Sequence, residues 1–205
     1  MDSGQDKLTD LQVDTIREIS NIGMGNAATA LSQMIEQPVN ITVPKADIVD
    51  ITDVPTLMGG EEIPVAASYV QVVGEARGHL VLANNIEDMH RLISLIVPGA
   101  TLDVMEDEMA RSAVQEIGNI LGSSFLRSLS DLTKLNLLPT VPAVAVDYAG
   151  SILTYVVASM YQITEKLVIV QTEFNVGGET IQGLCIFVPE PGALKTILGS
   201  LGVGG

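Results

Sequence analysis

A short motif occurs twice in this chain of 205 residues and constrains its fold more than any other feature. Asp14, Glu18, Asn21 and Pro44 recur 98 positions later as Ser112, Glu116, Asn119 and Pro142. Each copy reads Asp/Ser-x-x-x-Glu-x-x-Asn, then 22 residues, then Pro. The flanks agree: Glu-Ile at 18–19 and 116–117, Asn-Ile at 21–22 and 119–120, Val-Pro at 43–44 and 141–142. An ungapped match at fixed spacing points to an internal duplication. The chain is therefore expected to form one domain over 1–205 from two repeats, 8–100 and 104–200.

Both motifs begin on long helices. On a wheel of 100° per residue, Val13, Ile16, Ile19, Gly23, Ala27, Ala30, Leu31 and Met34 share one face, the one expected to be buried. Asp14, Glu18, Asn21, Gly25 and Ser32 lie opposite. In the second copy Ala110, Val114, Ile117, Leu121, Phe125 and Ser128 form the buried stripe, with Ser112, Glu116, Asn119 and Ser123 opposite. Residues three apart are neighbours on a helix surface. Each copy should thus present a carboxylate and a carboxamide side by side towards solvent. Any exposed helix carries polar residues, but a merely solvated face has no reason to keep the same Glu and Asn twice. Small residues nearby, Gly25 and Ala28 in one copy and Gly122 and Ser123 in the other, are expected to leave room for another surface.

Behind the helices the pattern turns strand-like. The first repeat reads as a helix over 10–36, strands over 39–50, 64–74 and 77–84, a loop over 51–61, and a short helix over 86–97 closed by Pro98-Gly99. The second reads as a helix over 104–134, strands near 138–148, 151–163, 166–174 and 180–188, a Gly177-Gly178 turn, and a helix over about 190–200 with a frayed end. Gly78-His79-Leu80-Val81 aligns loosely with Gly183-Leu184-Cys185-Ile186. The expected class is α/β or α+β with a pseudo-twofold. Each half has one long helix with an exposed face, strands and a short helix, and the strands join in a shared antiparallel-type sheet.

Composition narrows the function. A 47% apolar share with 17% charged residues fits a folded chain with a large core. With no Trp and 3% aromatic residues, no base-stacking platform is expected. Ten Lys and Arg residues against 25 Asp and Glu give a net charge of −15, so neither nucleic acid nor an anionic membrane is an expected partner. A single Cys185 in an apolar run reads as a buried thiol, consistent with a reducing cytoplasm. The N-terminal segment has no signal-peptide pattern and no stretch is long and apolar enough for a membrane span.

Familiar catalytic signatures do not assemble. His79 and His90 have no nucleophile partner, and no metal-ligand spacing or Walker lysine motif is present. Gly23 to Ala28 matches the dinucleotide fingerprint G-x-G-x-x-A, but it sits inside a helix with no strand before it. A carboxamide, however, both accepts and donates hydrogen bonds, which suits it to aligning a water for attack on a phosphoryl group. An ionised Glu beside it suits a salt bridge to a partner's lysine or arginine.

The duplicated Glu-x-x-Asn motif with its distant Pro resembles that of the CheC/CheX/FliY family of chemotaxis phosphatases. Two intact copies with no added flagellar-switch domain fit the CheC branch. The resemblance covers nearly the whole chain. It implies hydrolysis of the aspartyl phosphate on the response regulator CheY. Asn21 and Asn119 would each orient the attacking water, and Glu18 and Glu116 would each contact the regulator's lysine. Asp14 and Ser112 would shape the docking surface, while Pro44 and Pro142 set the helix-to-strand geometry. The chain would need no cofactor of its own, the magnesium belonging to the regulator. The receptor deamidase CheD is a further implied partner, and the cytoplasm the implied location. Both copies are complete, so both are expected to be active. The competing expectation is a non-catalytic adaptor, similar to flagellar switch proteins, that binds CheY or CheD.

Overall fold

The computed structural model describes residues 9–97, 103–158 and 166–204. Helix α1 (Asp10–Ile35) begins at a capping box. Thr9 Oγ1 accepts from the Gln12 N–H at 3.3 Å and Gln12 Oε1 accepts from the Thr9 N–H at 2.9 Å, so two donors at the helix entrance are satisfied. The helix stops at Glu36, a left-handed residue with φ of 54°, just ahead of Pro38. Helix α4 (Glu108–Thr133) stops in the same way at Lys134, with φ of 62°. The exits match in a further respect. Ser32 Oγ accepts the N–H of Val39 at 2.8 Å, and Ser130 Oγ accepts the N–H of Leu137 at 3.2 Å. Each hydroxyl thus ties a helix to the strand that follows it. Ser32 is therefore half-buried in a clamp, not displayed on the outer face.

The strands are β1 (Val39–Asp50), β2 (Pro64–Gly74), β3 (Gly78–Asn85), β4 (Leu137–Pro139), β5 (Ala143–Tyr148), β6 (Lys166–Val176) and β7 (Glu179–Pro189). They form one mixed-order sheet, β1-β6-β7-β3-β2-β4, with β5 also pairing β2, and every pairing among the described residues is antiparallel. The halves interleave: β1 pairs with β6 of the second half, and β4 and β5 pair with β2 of the first. Exchanging the halves reverses the strand order onto itself. Ala46 pairs with Val170, and Val144, 98 positions after Ala46, pairs with Ser68, so Ser68 corresponds to Val170. Ser68 pairs with Leu82 and Val170 with Cys185, and these two pair with each other at the centre of the sheet. The stretch 78–81 therefore corresponds to 181–184. The looser sequence alignment to 183–186 follows the shared glycine and misses the register by two residues.

Side chains alternate across the sheet. Ala66, Val70, Leu80, Leu82, Val168, Val170 and Cys185 face a core closed by α1, α3 (Ile86–Ile96), α4 and α6 (Ala193–Ser200). Val65, Ala67, Val81, Ala83, Leu167, Ile169 and Ile186 face the other way, against α2 (Val54–Leu57) and α5 (Ala149–Ala158). Each fully buried Val, Leu or Ile among them contributes roughly 1.5–3 kcal/mol.

Several segments depart from the sequence expectations. The stretch beginning at 151 is helical as far as Ala158, and 159–163 lies outside the described residues, as does the Pro98-Gly99 stop. Its β-branched residues favour a strand, but Ala149, Ile152 and Val156 lie at helical spacing and cover the sheet's second face; burial outweighs a weak propensity. The loop at 51–61 contains a 3₁₀ turn (Ile51–Asp53) and the one-turn helix α2. The strand expected over 138–148 is split into β4 and β5. Residues 201–204 are tied rather than frayed: the Val203 N–H donates to the Leu198 carbonyl at 3.0 Å, and the Val203 carbonyl accepts from Gln12 Nε2 at 2.7 Å. Met34 is exposed, Val13 and Ala30 are half-buried, and the remaining five residues of the first buried stripe pack as expected.

Candidate functional site

Pro44 and Pro142 explain how a strand is led past each helix. In β1, Thr42 pairs with Glu173 and Lys45 with Gln171, so Val43 and Pro44 together face Thr172. In the second half, Pro139 pairs with Val72 and Ala143 with Tyr69, so 140–142 face 70–71. Each strand therefore carries one extra residue beside its proline. Proline cannot donate to a ladder and is tolerated at such a bulge. The bulge sets the strand beside the Glu–Asn turn of the helix.

The two copies differ in detail. Glu18 and Glu116 are both exposed, and neither carboxylate is paired among the described residues. Asn21 is half-buried, and its Oδ1 accepts the N–H of Val43 at 3.2 Å. Asn119 is exposed, and among the described residues its carboxamide has no hydrogen-bond partner. Its backbone carbonyl accepts from the Ser123 hydroxyl. Asp14 is exposed and pairs with Arg17 at 2.7 Å, whereas the Ser112 hydroxyl donates to the Glu108 carbonyl at 2.9 Å. At the position matching Arg17, Gln115 donates from Nε2 to the Pro142 carbonyl at 3.0 Å. Ser112, Gln115, Glu116 and Asn119 form one wall of an open groove of about 530 Å³, and residues 139–142 form the other.

The small residues play mixed parts. Gly25 is exposed with nothing within 4 Å of an added Cβ, as expected of an approachable surface. Ala28 and Gly122 instead face the core, Gly122 beside Leu80 and Val70. Gly23 serves packing: a Cβ there would lie 3.0 Å from Phe125 Cα, so the glycine lets α1 and α4 meet. Asn26 Nδ2 donates to Ser128 Oγ at 3.0 Å across the same contact.

One feature escaped the sequence reading. Leu11 and Met109, also 98 apart, are 63% and 60% exposed one turn before Asp14 and Ser112. Their matched spacing was a readable signal, hidden because a wheel sorts such residues as imperfect members of the buried face. The histidines lie apart from the motif. His79 is buried in β3, its Nδ1 2.6 Å from Tyr69 Oη, and burial lowers its pKa. His90 Nε2 accepts the N–H of Val104 at 3.1 Å. Cys185 is fully buried, its pKa pushed up to about 12 by loss of solvent, which makes it an unreactive thiol.

The arrangement is thus a pair of carboxylate–carboxamide surfaces on two helices that pack side by side over one face of the sheet. A profile of the CheC-like family matches residues 11–48 and 109–146, which contain both motifs. The chain is 32% identical over 164 residues to the CheY-P phosphatase CheC of Bacillus subtilis, covering 78% of each chain. It is 28% identical over 127 residues to the flagellar motor switch phosphatase FliY of the same organism, covering 61% of this chain and 33% of FliY. The crystal structure of Thermotoga maritima FliY superimposes with a TM-score of 0.77 at 22% identity, over 97% of this chain and 99% of the other. The chain belongs to the CheC-like family.

Proposed function

We propose that this protein is a chemotaxis phosphatase that hydrolyses the aspartyl phosphate of a CheY-type response regulator. The observation that carries the reading is the Glu–Asn turn present in both segments that match the family, with both carboxylates exposed and, among the described residues, without a partner. Kinship with a CheY-P phosphatase supports the substrate.

In this reading the helix docks against the regulator and inserts its carboxamide beside the phosphoryl group. The carboxamide oxygen accepts a hydrogen bond from water and holds it in line with the scissile P–O bond. Water attacks phosphorus, the bond to the aspartyl oxygen breaks, and inorganic phosphate and the regulator's carboxylate leave. Phosphoryl transfer of this kind depends on positioning and electrostatics. Asn21 and Asn119 fill the positioning role, and Glu18 and Glu116 anchor to the regulator's lysine. Asp14 and Ser112 border the docking surface. The magnesium that neutralises phosphate charge belongs to the regulator, so this chain supplies no metal ligand.

We also infer that 8–100 and 104–200 are repeats of one unit, fused into a single domain. The matched helix exits, serine clamps and proline bulges support this, as do the two profile matches. The family resemblance supports the receptor deamidase CheD as a second partner and the cytoplasm as the place of action. The test is the decay of phosphorylated regulator with and without this protein. Acceleration at substoichiometric protein supports catalysis. Binding without acceleration would make the protein an adaptor.

A further inference from the structure

The two sites are built on one plan but are set differently, and the difference tracks a single pair of residues. In the first half Val43 is buried and its N–H occupies one lone pair of Asn21 Oδ1. The partner is a donor, so the oxygen is the amide atom facing the strand. In the second half the matching residue, Val141, is 81% exposed, and among the described residues its N–H reaches no acceptor. The residue that separates the two arrangements lies one turn of helix away. Gln115 holds the Pro142 carbonyl, while Arg17 turns to Asp14 and leaves the Pro44 carbonyl without that contact.

We propose that Gln115 is a positioning residue that holds the second site open, and that Arg17, by failing to make the same clamp, leaves the first site closed over Asn21. By gripping the Pro142 carbonyl from the helix, while the Thr140 N–H donates to the Gln71 carbonyl at 2.9 Å on the other side, Gln115 fixes the path of residues 140–142, and Val141 N–H does not swing onto Asn119. Asn119 keeps both lone pairs of its oxygen and both amide hydrogens for water and substrate. It also projects into solvent, as insertion into a partner requires. Asn21 is turned to the strand and must release Val43 before it can act. The Arg17–Asp14 ion pair is exposed, and such pairs hold side chains weakly, so it does not replace the clamp. The second site therefore carries most of the turnover. This last step rests on the phosphatase reading; the clamp itself does not.

The test uses the full chain in two arms. Hydrogen exchange, which needs no substrate, reads the backbone N–H of Val43 and Val141. Gln115→Ala, and Gln115→Glu, which keeps the shape without the amide donor, should each slow exchange at Val141 about tenfold as it engages Asn119. Arg17→Gln should speed exchange at Val43 by a similar factor. Turnover of phosphorylated regulator is then read in single-site backgrounds. With Asn21→Ala, leaving only the second site, Gln115→Ala should lower kcat about tenfold with KM within twofold, the scale of one net hydrogen bond. With Asn119→Ala, leaving only the first site, Arg17→Gln should raise kcat. Unchanged exchange at Val141 overturns the proposal whether or not turnover falls. If Asn21→Ala costs as much turnover as Asn119→Ala, the ranking of the sites is overturned while the phosphatase reading stands. If the unaltered protein shows no turnover, the phosphatase reading fails, and the exchange arm alone decides the clamp.

Discussion

The backbone N–H of Val43 donates to Asn21 Oδ1 at 3.2 Å, tying the first carboxamide to the strand beside its helix. The same motif residue 98 positions later, Asn119, is exposed in the wall of an open groove. Two copies of one motif thus carry their key amides in different states. Both arise from the same local plan of a long helix, a left-handed exit, a serine clamp and a proline bulge.

Glu18 and Glu116 are exposed carboxylates without partners among the described residues, as anchors for a basic partner would be. Replacing both with Gln should raise KM for phosphorylated regulator and leave kcat nearly unchanged. The loss should be largest at low ionic strength, because salt screens exposed charge pairs. A salt titration of KM checks this. A loss confined to kcat would assign the glutamates to chemistry instead.

Leu11 and Met109 present apolar surface beside each motif. If docking covers them, replacing both with Ser should weaken regulator binding roughly tenfold, on the scale of burying one aliphatic side chain. Thermal stability should stay unaltered, since neither side chain is buried. Calorimetric titration with the regulator measures the first effect and a melting curve the second. Unchanged affinity would remove these residues from the docking surface.

Two glycines of α1 should respond in opposite directions. Gly23→Ala places a methyl 3.0 Å from Phe125 Cα and should cost about 1–3 kcal/mol by forcing α1 from α4. Gly25→Ala meets nothing within 4 Å and should stabilise by up to about 1 kcal/mol through helix propensity. Urea denaturation of both variants decides the matter, and equal effects would contradict the packing described.

His79 should make stability fall on acidification. Burial lowers its pKa from the ordinary 6.5, with Glu190 opposing and Arg77 adding to the shift. The unfolded chain therefore takes up the proton more readily than the folded one. This contribution is fully present above pH 6.5 and is lost as pH falls below 6.5 towards the lowered folded value. Denaturation midpoints across this range should drop in the unaltered protein. They should drop less in His79→Gln, which copies Gln182 at the matching position. An unchanged slope in the variant would contradict the assignment.

Much of this was legible in the residues. The helical stripes placed α1 and α4 to within a few positions, because apolar spacing over 26 residues leaves little ambiguity. The Glu–Asn pairs were found because they repeat. Helix α5 was missed because the run at 152–157, apolar but for Thr154, is short and rich in β-branched residues, and so few turns do not separate helix from strand. The interleaving of halves was also hidden, since which strand pairs with which is set by contacts far apart in the chain. The different settings of Asn21 and Asn119 depend on Val43, Gln115 and Pro142, and only the fold brings those together.

The central claim is that the paired carboxamides perform hydrolysis. The most direct measurement is the rate of phosphate loss from a phosphorylated CheY-type regulator, with the unaltered protein and with Asn21→Ala/Asn119→Ala. Accelerated loss is expected with the former. With the latter the expected rate is lower by roughly 10²–10³, by analogy with removal of a single oxyanion-hole donor, with binding retained. Acceleration that survives the double substitution would contradict the claim.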